Sequence, residues 1–407
     1  MAVKFLKQSN LLLVGITLSS IGVPMGMYFN YFYPGIKWSP IFMFLAFFLT
    51  CNWGNFIRWK FPLINSQLKL IICVQLLILF YGIIELTIDE HYLFFILYVI
   101  AYVLALSTNN TETSLGKLPK YMFSLSLIPL VLGVFVCSKN LVVGDEVWSL
   151  KKEITDYALE PFTVSQGALT NMIAGLCMSK TTKWEKLLFL MSLLAGSYVI
   201  LSCGKRTPYI VFFATIIYYL YVKSRKNINN IVKYLLTLTL FMFFTYLIVP
   251  FFQEKIDGFF YNSYNGLLNL LGDTSVTDET GSALMRVYSR ERAYQYISNN
   301  FGFINYIFGG GYSCIGQIDN PLLQIFVEMG LLGTFLYMYI VVLIPFKIAR
   351  LRINNNTLIL VLVSSFYPIV SIFNSGNPYM WTKWAPVATL IAISSAYILK
   401  NRNGRKK

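Results

Sequence analysis

Residues 187–222 read LLFLMSLLAGSYVILSCGKRTPYIVFFATIIYYLYV. Two runs, 187–203 and 207–222, carry no charge, and only a Gly-Lys-Arg turn separates them. A helix needs about 20 mostly apolar residues to cross the hydrocarbon core of a bilayer, so the stretch reads as two membrane helices joined by a tight turn. Working outward, similar runs precede it near 11–33, 38–56, 68–88, 92–108, 121–137 and 163–179, and follow it near 232–251, 321–346, 357–374 and 384–399. The sixth run, with Gln166 and Asn171, is the least apolar. Over 407 residues the chain is 56% hydrophobic, 17% aromatic and only 13% charged, with mean hydropathy +0.60. So few charges cannot clothe soluble domains of this length. The expectation is an all-α polytopic membrane protein of about 12 transmembrane helices, with residues 1–407 forming a single integral membrane domain.

The balance of 33 Lys and Arg against 18 Asp and Glu gives a net charge of +15, which in a soluble protein would suggest a nucleic-acid partner. Here the basic residues form short clusters between apolar runs, as membrane topology demands, and no nucleic-acid partner is expected. With twelve spans, 22 of the 33 basic residues fall on one side, which the positive-inside rule makes cytoplasmic, together with both termini. The first run follows Lys4 and Lys7 without a small-residue cleavage site and reads as a retained helix.

Two outer segments are long enough to fold. Residues 138–162 place Val147, Leu150, Ile154, Tyr157 and Ala158 at helical spacing, predicting an amphipathic helix on the membrane surface. Residues 252–320 form a large outer loop between the ninth and tenth spans, where the chemistry is expected. The cytoplasmic loops are too short for a nucleotide-binding domain. Of six cysteines, five lie in or at the ends of apolar runs and Cys314 in the large loop, so neither a disulfide framework nor a zinc spacing follows. His91 is the one histidine and no DxD sequence occurs, so no metal or other cofactor is expected.

Three constellations carry chemistry. In the Cys203-Gly204-Lys205-Arg206-Thr207-Pro208 turn, Lys205 and Arg206 are cations on the outer side; they either snorkel to lipid headgroups or meet an anion beside the unpaired N–H groups of a helix start. In residues 281–294, GSALMRVYSRERAY, Arg286 and Arg290 lie one turn apart on one helix face while Arg292 points away. Leu284, Val287, Tyr288 and Tyr294 are expected to turn towards membrane or protein. Paired guanidiniums can grip a phosphate or pyrophosphate bidentately; the alternative is a solvated face paired with Glu291. The third is Phe308-Gly309-Gly310-Gly311-Tyr312 followed by DNPLLQIFVEMGLLG over 319–333. There Asp319 or Asn320 can cap a helix, and Asn320, Gln324 and Glu328 recur every four residues as a polar stripe, expected to face a cavity.

The order of these parts, a Gly-Lys-Arg-Thr turn, a late outer loop with an arginine-rich helix, then FGGGY and DNPLLQIFVEMGLLG entering a span, resembles the O-antigen polymerase and ligase superfamily of bacterial envelope glycosyltransferases. That resemblance implies a GT-C-like fold in the bacterial inner membrane and metal-independent glycosyl transfer at the periplasmic face. Donor and acceptor would be undecaprenyl-pyrophosphate-linked glycans, with Arg206 and Arg286 or Arg290 against the pyrophosphate, supported by Lys205 and Arg292. Asp319, then Glu328, are the carboxylates expected to act as base, with Asn320, Gln324 and Tyr312 positioning substrate; Asp273, Asp278, Glu279 and Glu291 are further carboxylates within reach of that role. A flippase and a chain-length regulator are expected partners beside membrane lipid. The ligase branch typically carries a histidine before the Asn of the last motif; Asp319 stands there in this chain, which favours a polymerase. The alternatives are an O-antigen ligase and a lipid-linked oligosaccharide flippase or other transporter.

Overall fold

The computed structural model describes residues 8–84, 90–109, 115–139, 141–142, 159–204, 206–223, 282–316, 318, 320–350, 355–373 and 377–404, with isolated positions between 229 and 268. Among these residues every regular element is helical. In chain order they are α1 (Gln8–Phe32), α2 (Trp38–Thr50), α3 (Trp53–Ile57), α4 (Ser66–Ile84), α5 (Glu90–Ser107), α6 (Leu118–Ser138), α7 (Pro161–Cys177), α8 (Lys183–Ser202) and α9 (Arg206–Lys223). After these come α10 (Ser282–Asn300), α11 (Phe303–Phe308), α12 (Pro321–Met338), α13 (Ile344–Ala349), α14 (Asn356–Ser364), α15 (Phe366–Val370) and α16 (Trp381–Gly404). Among the described residues five helical stretches are long and apolar enough to cross a membrane: Gln8–Phe32, Ser66–Ile83, Leu115–Ser138, Lys183–Ser202 and Pro321–Ala349. Trp38–Thr50, Leu93–Ser107, Thr207–Lys223 and Asn356–Val370 are shorter apolar helices. The protein is an all-α polytopic membrane protein. Most of the expected span over 232–251, and the expected surface helix around Val147 to Ala158, lie outside the described residues.

Local chemistry sets several of these ends. Thr182 and Glu185 form a capping box at the start of α8: the Glu185 N–H donates to Thr182 Oγ1 at 3.1 Å and the Thr182 N–H to Glu185 Oε2 at 3.2 Å. Asn320 caps α12 by accepting from the Leu323 N–H at 3.1 Å, with Pro321 in the first turn where its missing donor costs nothing.

The least apolar run lies at the centre of the bundle. Helix α7 buries Ser165, Gly167, Ala168, Asn171 and Gly175, and a Cβ at Gly167 would stand 3.1 Å from Pro129 and 3.3 Å from Pro24, so α1 and α6 both close on it. Asn171 Nδ2 donates to the Phe123 carbonyl at 2.9 Å and to Ser126 Oγ at 3.0 Å. Asn171 therefore bonds the neighbouring α6 instead of facing lipid, an arrangement that polar residues favour between membrane helices. The outer helices show the reverse: Leu187, Leu188, Leu190 and Met191 of α8 and Phe44 and Phe48 of α2 are exposed, as a lipid-facing surface requires.

The uninterrupted helix expected over 321–346 is broken. Gly330 has φ 62° and ψ −161°, a region open essentially to glycine alone. The glycine loop fills the break. The Gly310 N–H donates to the Val327 carbonyl at 2.7 Å and the Gly311 N–H to the Glu328 carbonyl at 3.1 Å, acceptors that a continuous helix would offer to residues 331 and 332. Gly309, at φ 86° and ψ −177°, packs on the backbone of Glu328, and Gly330 on that of Ile307; a Cβ at either would overlap main-chain atoms. Gly330→Ala should therefore lower the thermal midpoint of the detergent-solubilised protein by several degrees, since backbone strain alone costs about 1–3 kcal/mol. Gly116→Ala, with open space around the new methyl, should leave it unchanged. An equal midpoint for both variants would show that the break is not required.

Candidate functional site

Helix α10 docks on the first half of α12 through a small apolar cluster. Ala293, Ile318 and Val327 are fully buried, with Tyr296, Ile297, Phe301, Cys314, Ile315 and Leu323 packed around them. Counting 100° per residue, Arg286, Arg290, Ala293 and Ile297 fall within about 60° of one another. The arginine pair thus continues the face that Ala293 and Ile297 press against the protein. Both arginines are half-buried, and the Arg286 Nε is buried with no hydrogen-bond partner among the described residues. Arg292 is exposed on the other side of the helix.

Tyr288 and Tyr294, expected to turn towards membrane or protein, are 54% and 59% exposed and so leave the protein contact to the arginine side, an exposure compatible with a membrane-facing position. The reason is size: Ala293 lets α10 approach Val327 and Ile318, which two tyrosines in its place would prevent.

A second feature sits one helical layer away. Gln324 and Glu328 are 3% and 0% exposed. Glu328 Oε1 accepts from the Ser313 N–H and from Gln324 Nε2, each at 3.1 Å, and Glu328 Oε2 accepts from the Tyr379 hydroxyl. Gln324 Oε1 accepts from the Ile318 N–H at 3.3 Å. The stripe expected to face a cavity instead faces packed protein, because residues 309–316, Ile318 and the turn at 377–380 close over it. One carboxylate ties three segments distant in sequence, and the charge-assisted bonds offset its burial. The turn is set by the Tyr379 N–H donating to Asn377 Oδ1 at 2.8 Å and by Trp384 Nε1 donating to the Pro378 carbonyl at 2.9 Å. Tyr312, 2% exposed, packs its ring 5.2 Å from that of Tyr379.

Lys383 is 1% exposed; its Nζ donates to Ser371 Oγ and lies 4.9 Å from the centre of the Tyr367 ring. Sequence reasoning passed over Tyr379, Ser371 and Lys383. The available signals were a lone lysine entering an apolar run on the side where basic residues are sparse, and the Asn377-Pro378-Tyr379 turn beside it.

Asp319 and Lys205 lie outside the described residues, and Arg206 is described only as the first residue of α9. Asn320 serves as the α12 cap. A cavity of about 40 Å³ lies among α1, α7, α9, α15 and α16, lined by Ser19, Gln166, Thr170, Val211, Tyr367, Thr382 and neighbours. That space holds about three waters and no sugar, and none of the residues picked from the sequence lines it.

Residues 189–338 match a family model described as O-antigen ligase. The matched stretch runs from α8 to the end of α12 and so contains the Gly-Lys-Arg-Thr turn, the arginine helix, the glycine loop and Glu328. It supports a place in the O-antigen polymerase and ligase superfamily, hence an involvement in surface polysaccharide synthesis by glycosyl transfer, without separating polymerase from ligase. No curated protein matches the chain.

Proposed function

We propose that this protein polymerises undecaprenyl-pyrophosphate-linked oligosaccharide units into O-antigen or a related surface polysaccharide, by metal-independent transfer at the periplasmic face of the bacterial inner membrane. The topology belonging to this reading has twelve spans, both termini in the cytoplasm and a GT-C-like arrangement with residues 252–320 outside. The observation that supports it best is the Arg286 and Arg290 pair on the half-buried face of α10, with a buried and unpartnered Arg286 Nε. The leaving diphosphate is already a weak base, so its departure needs countercharge more than a proton. Two guanidiniums supply permanent charge in a forked geometry matched to phosphate oxygens. Arg206 and Lys205 add charge at the start of α9, where unpaired N–H groups also favour an anion. Arg292, exposed on the far side of α10, contributes to the site only through its charge.

The acceptor sugar hydroxyl then attacks the anomeric carbon as the bond to the diphosphate breaks, and its proton passes to a carboxylate. Asp319 takes that role. Glu328, already accepting from three donors and without exposed surface, holds the loop at Ser313 and the turn at Tyr379 in place together with Gln324. A flippase would deliver the repeat units and a chain-length regulator would set the product distribution.

The ligase reading is favoured by the description of the matching family model, and the polymerase reading by Asp319 standing where the ligase branch typically carries histidine. Purified protein incubated with synthetic lipid-linked repeat units should give a ladder of products on a gel, with the same yield in EDTA. Transfer to a lipid A acceptor without a ladder would replace polymerase by ligase. Neither product, from folded protein, would reject both and leave a transporter.

A further inference from the structure

Helices α6 and α8 lie side by side and run in the same direction. Near their starts Lys120 Nζ stands 2.9 Å from Glu185 Oε1, an offset of 65 residues. Further along, a Cβ at Gly133 would stand 3.3 Å from Val199 Cγ1, an offset of 66. Parallel helices keep their register, so one turn beyond Gly133 and Val199 the same offset sets Cys137 against Cys203. The two thiols lie within interaction range of each other there. They are 5% and 8% exposed, while Ser138, Lys139 and Gly204, immediately beyond them, are exposed. The pair therefore sits where two helices end, one residue below the surface.

We propose that Cys137 and Cys203 form a disulfide that joins the ends of α6 and α8 beside the turn into α9. This rests on the topology proposed above, which places these ends in the oxidising periplasm, where disulfides form and persist. The oxidant is an exported dithiol carrier in its disulfide form. One cysteine thiolate attacks a carrier sulfur, giving a mixed disulfide and a carrier thiolate. The second cysteine thiolate then attacks the first cysteine's sulfur, closing the bridge and releasing the reduced carrier, so that two electrons pass to the carrier and the two cysteine protons are released. Closure fixes Cys203, three residues ahead of Arg206, and so pins the base of the turn that carries it.

The test uses the full-length protein in membranes isolated without added oxidant, acid-quenched to freeze thiol exchange, then denatured and treated with a polyethylene-glycol maleimide. Of six cysteines, four should react before reduction and six after. Cys137→Ser and Cys203→Ser should each give five adducts with or without reductant. Six adducts on the unreduced wild-type protein would overturn the bridge, whether or not the serine variants fold. The laddering assay on the same membranes keeps the two ideas apart: four adducts without a ladder sinks the polymerase reading alone, and a ladder with six adducts sinks the bridge alone.

Discussion

Replacing Arg286 or Arg290 by alanine should abolish long glycan chains while leaving the protein inserted in the membrane and single repeat units on their lipid carrier. By analogy with the loss of one oxyanion-hole donor, each substitution should slow transfer by about 10²–10³-fold, or about 2.7–4 kcal/mol of transition-state stabilisation. The effect is expected on turnover more than on KM, because negative charge grows on the bridging oxygen only as the sugar leaves. The double variant should be little worse than either single one, since two guanidiniums gripping one diphosphate act as a unit. Lysine at either position restores charge without the fork and should recover part of the rate. Arg292→Ala, on the opposite side of α10, should cost far less. The measurement is the initial rate of laddering by purified variants, with membrane yield as the folding control. Wild-type rates for both alanine variants would end the pyrophosphate role; full recovery by lysine would reduce it to surface electrostatics.

What the sequence made legible follows from how strong each physical constraint is. Span-length apolar runs such as 187–222 announce themselves because lipid tolerates nothing else. The weakness of 163–179 had the opposite cause from the obvious one: Gln166 and Asn171 sit in α7, a helix enclosed by other helices, and a single-sequence hydropathy reading does not separate a buried helix from a marginal one. The break at Gly330 was hidden because a glycine inside an apolar run reads as ordinary helix packing; the partner that fills the break, residues 309–311, lies some twenty positions earlier. Periodicity put Arg286 and Arg290 on one face but did not mark that face as the one packed on α12, since it weighed tyrosines by hydrophobicity and Ala293 by its small area. Lys383 and Ser371 escaped because burial of a lysine depends on contacts that spacing does not encode.

Glu328 offers the sharpest separation between a chemical and a positioning role. Glu328→Ala leaves the Ser313 N–H, Gln324 Nε2 and the Tyr379 hydroxyl without their acceptor, and stranded buried donors cost about 1–3 kcal/mol each. A steep fall in the thermal midpoint in detergent is the expected result. Tyr379→Phe removes one donor and leaves the carboxylate two, so its cost should be smaller, and the double variant should be less destabilised than the sum of the single ones because the residues share one network. Glu328→Gln is the decisive variant. Its carbonyl can still accept from Ser313 and Gln324, and its amide can donate to the Tyr379 oxygen once that hydroxyl turns, so the three segments stay joined. If Glu328 positions the loop and the turn, the glutamine variant should keep most of the laddering rate per folded molecule at a temperature below its midpoint. If Glu328 takes the acceptor's proton, the same variant should fold normally and lose turnover by the 10²–10⁴-fold that positioned general bases supply. A normally folded, inactive glutamine variant would therefore move the base from Asp319 to Glu328, and with it the site of attack from the mouth of α12 to its interior.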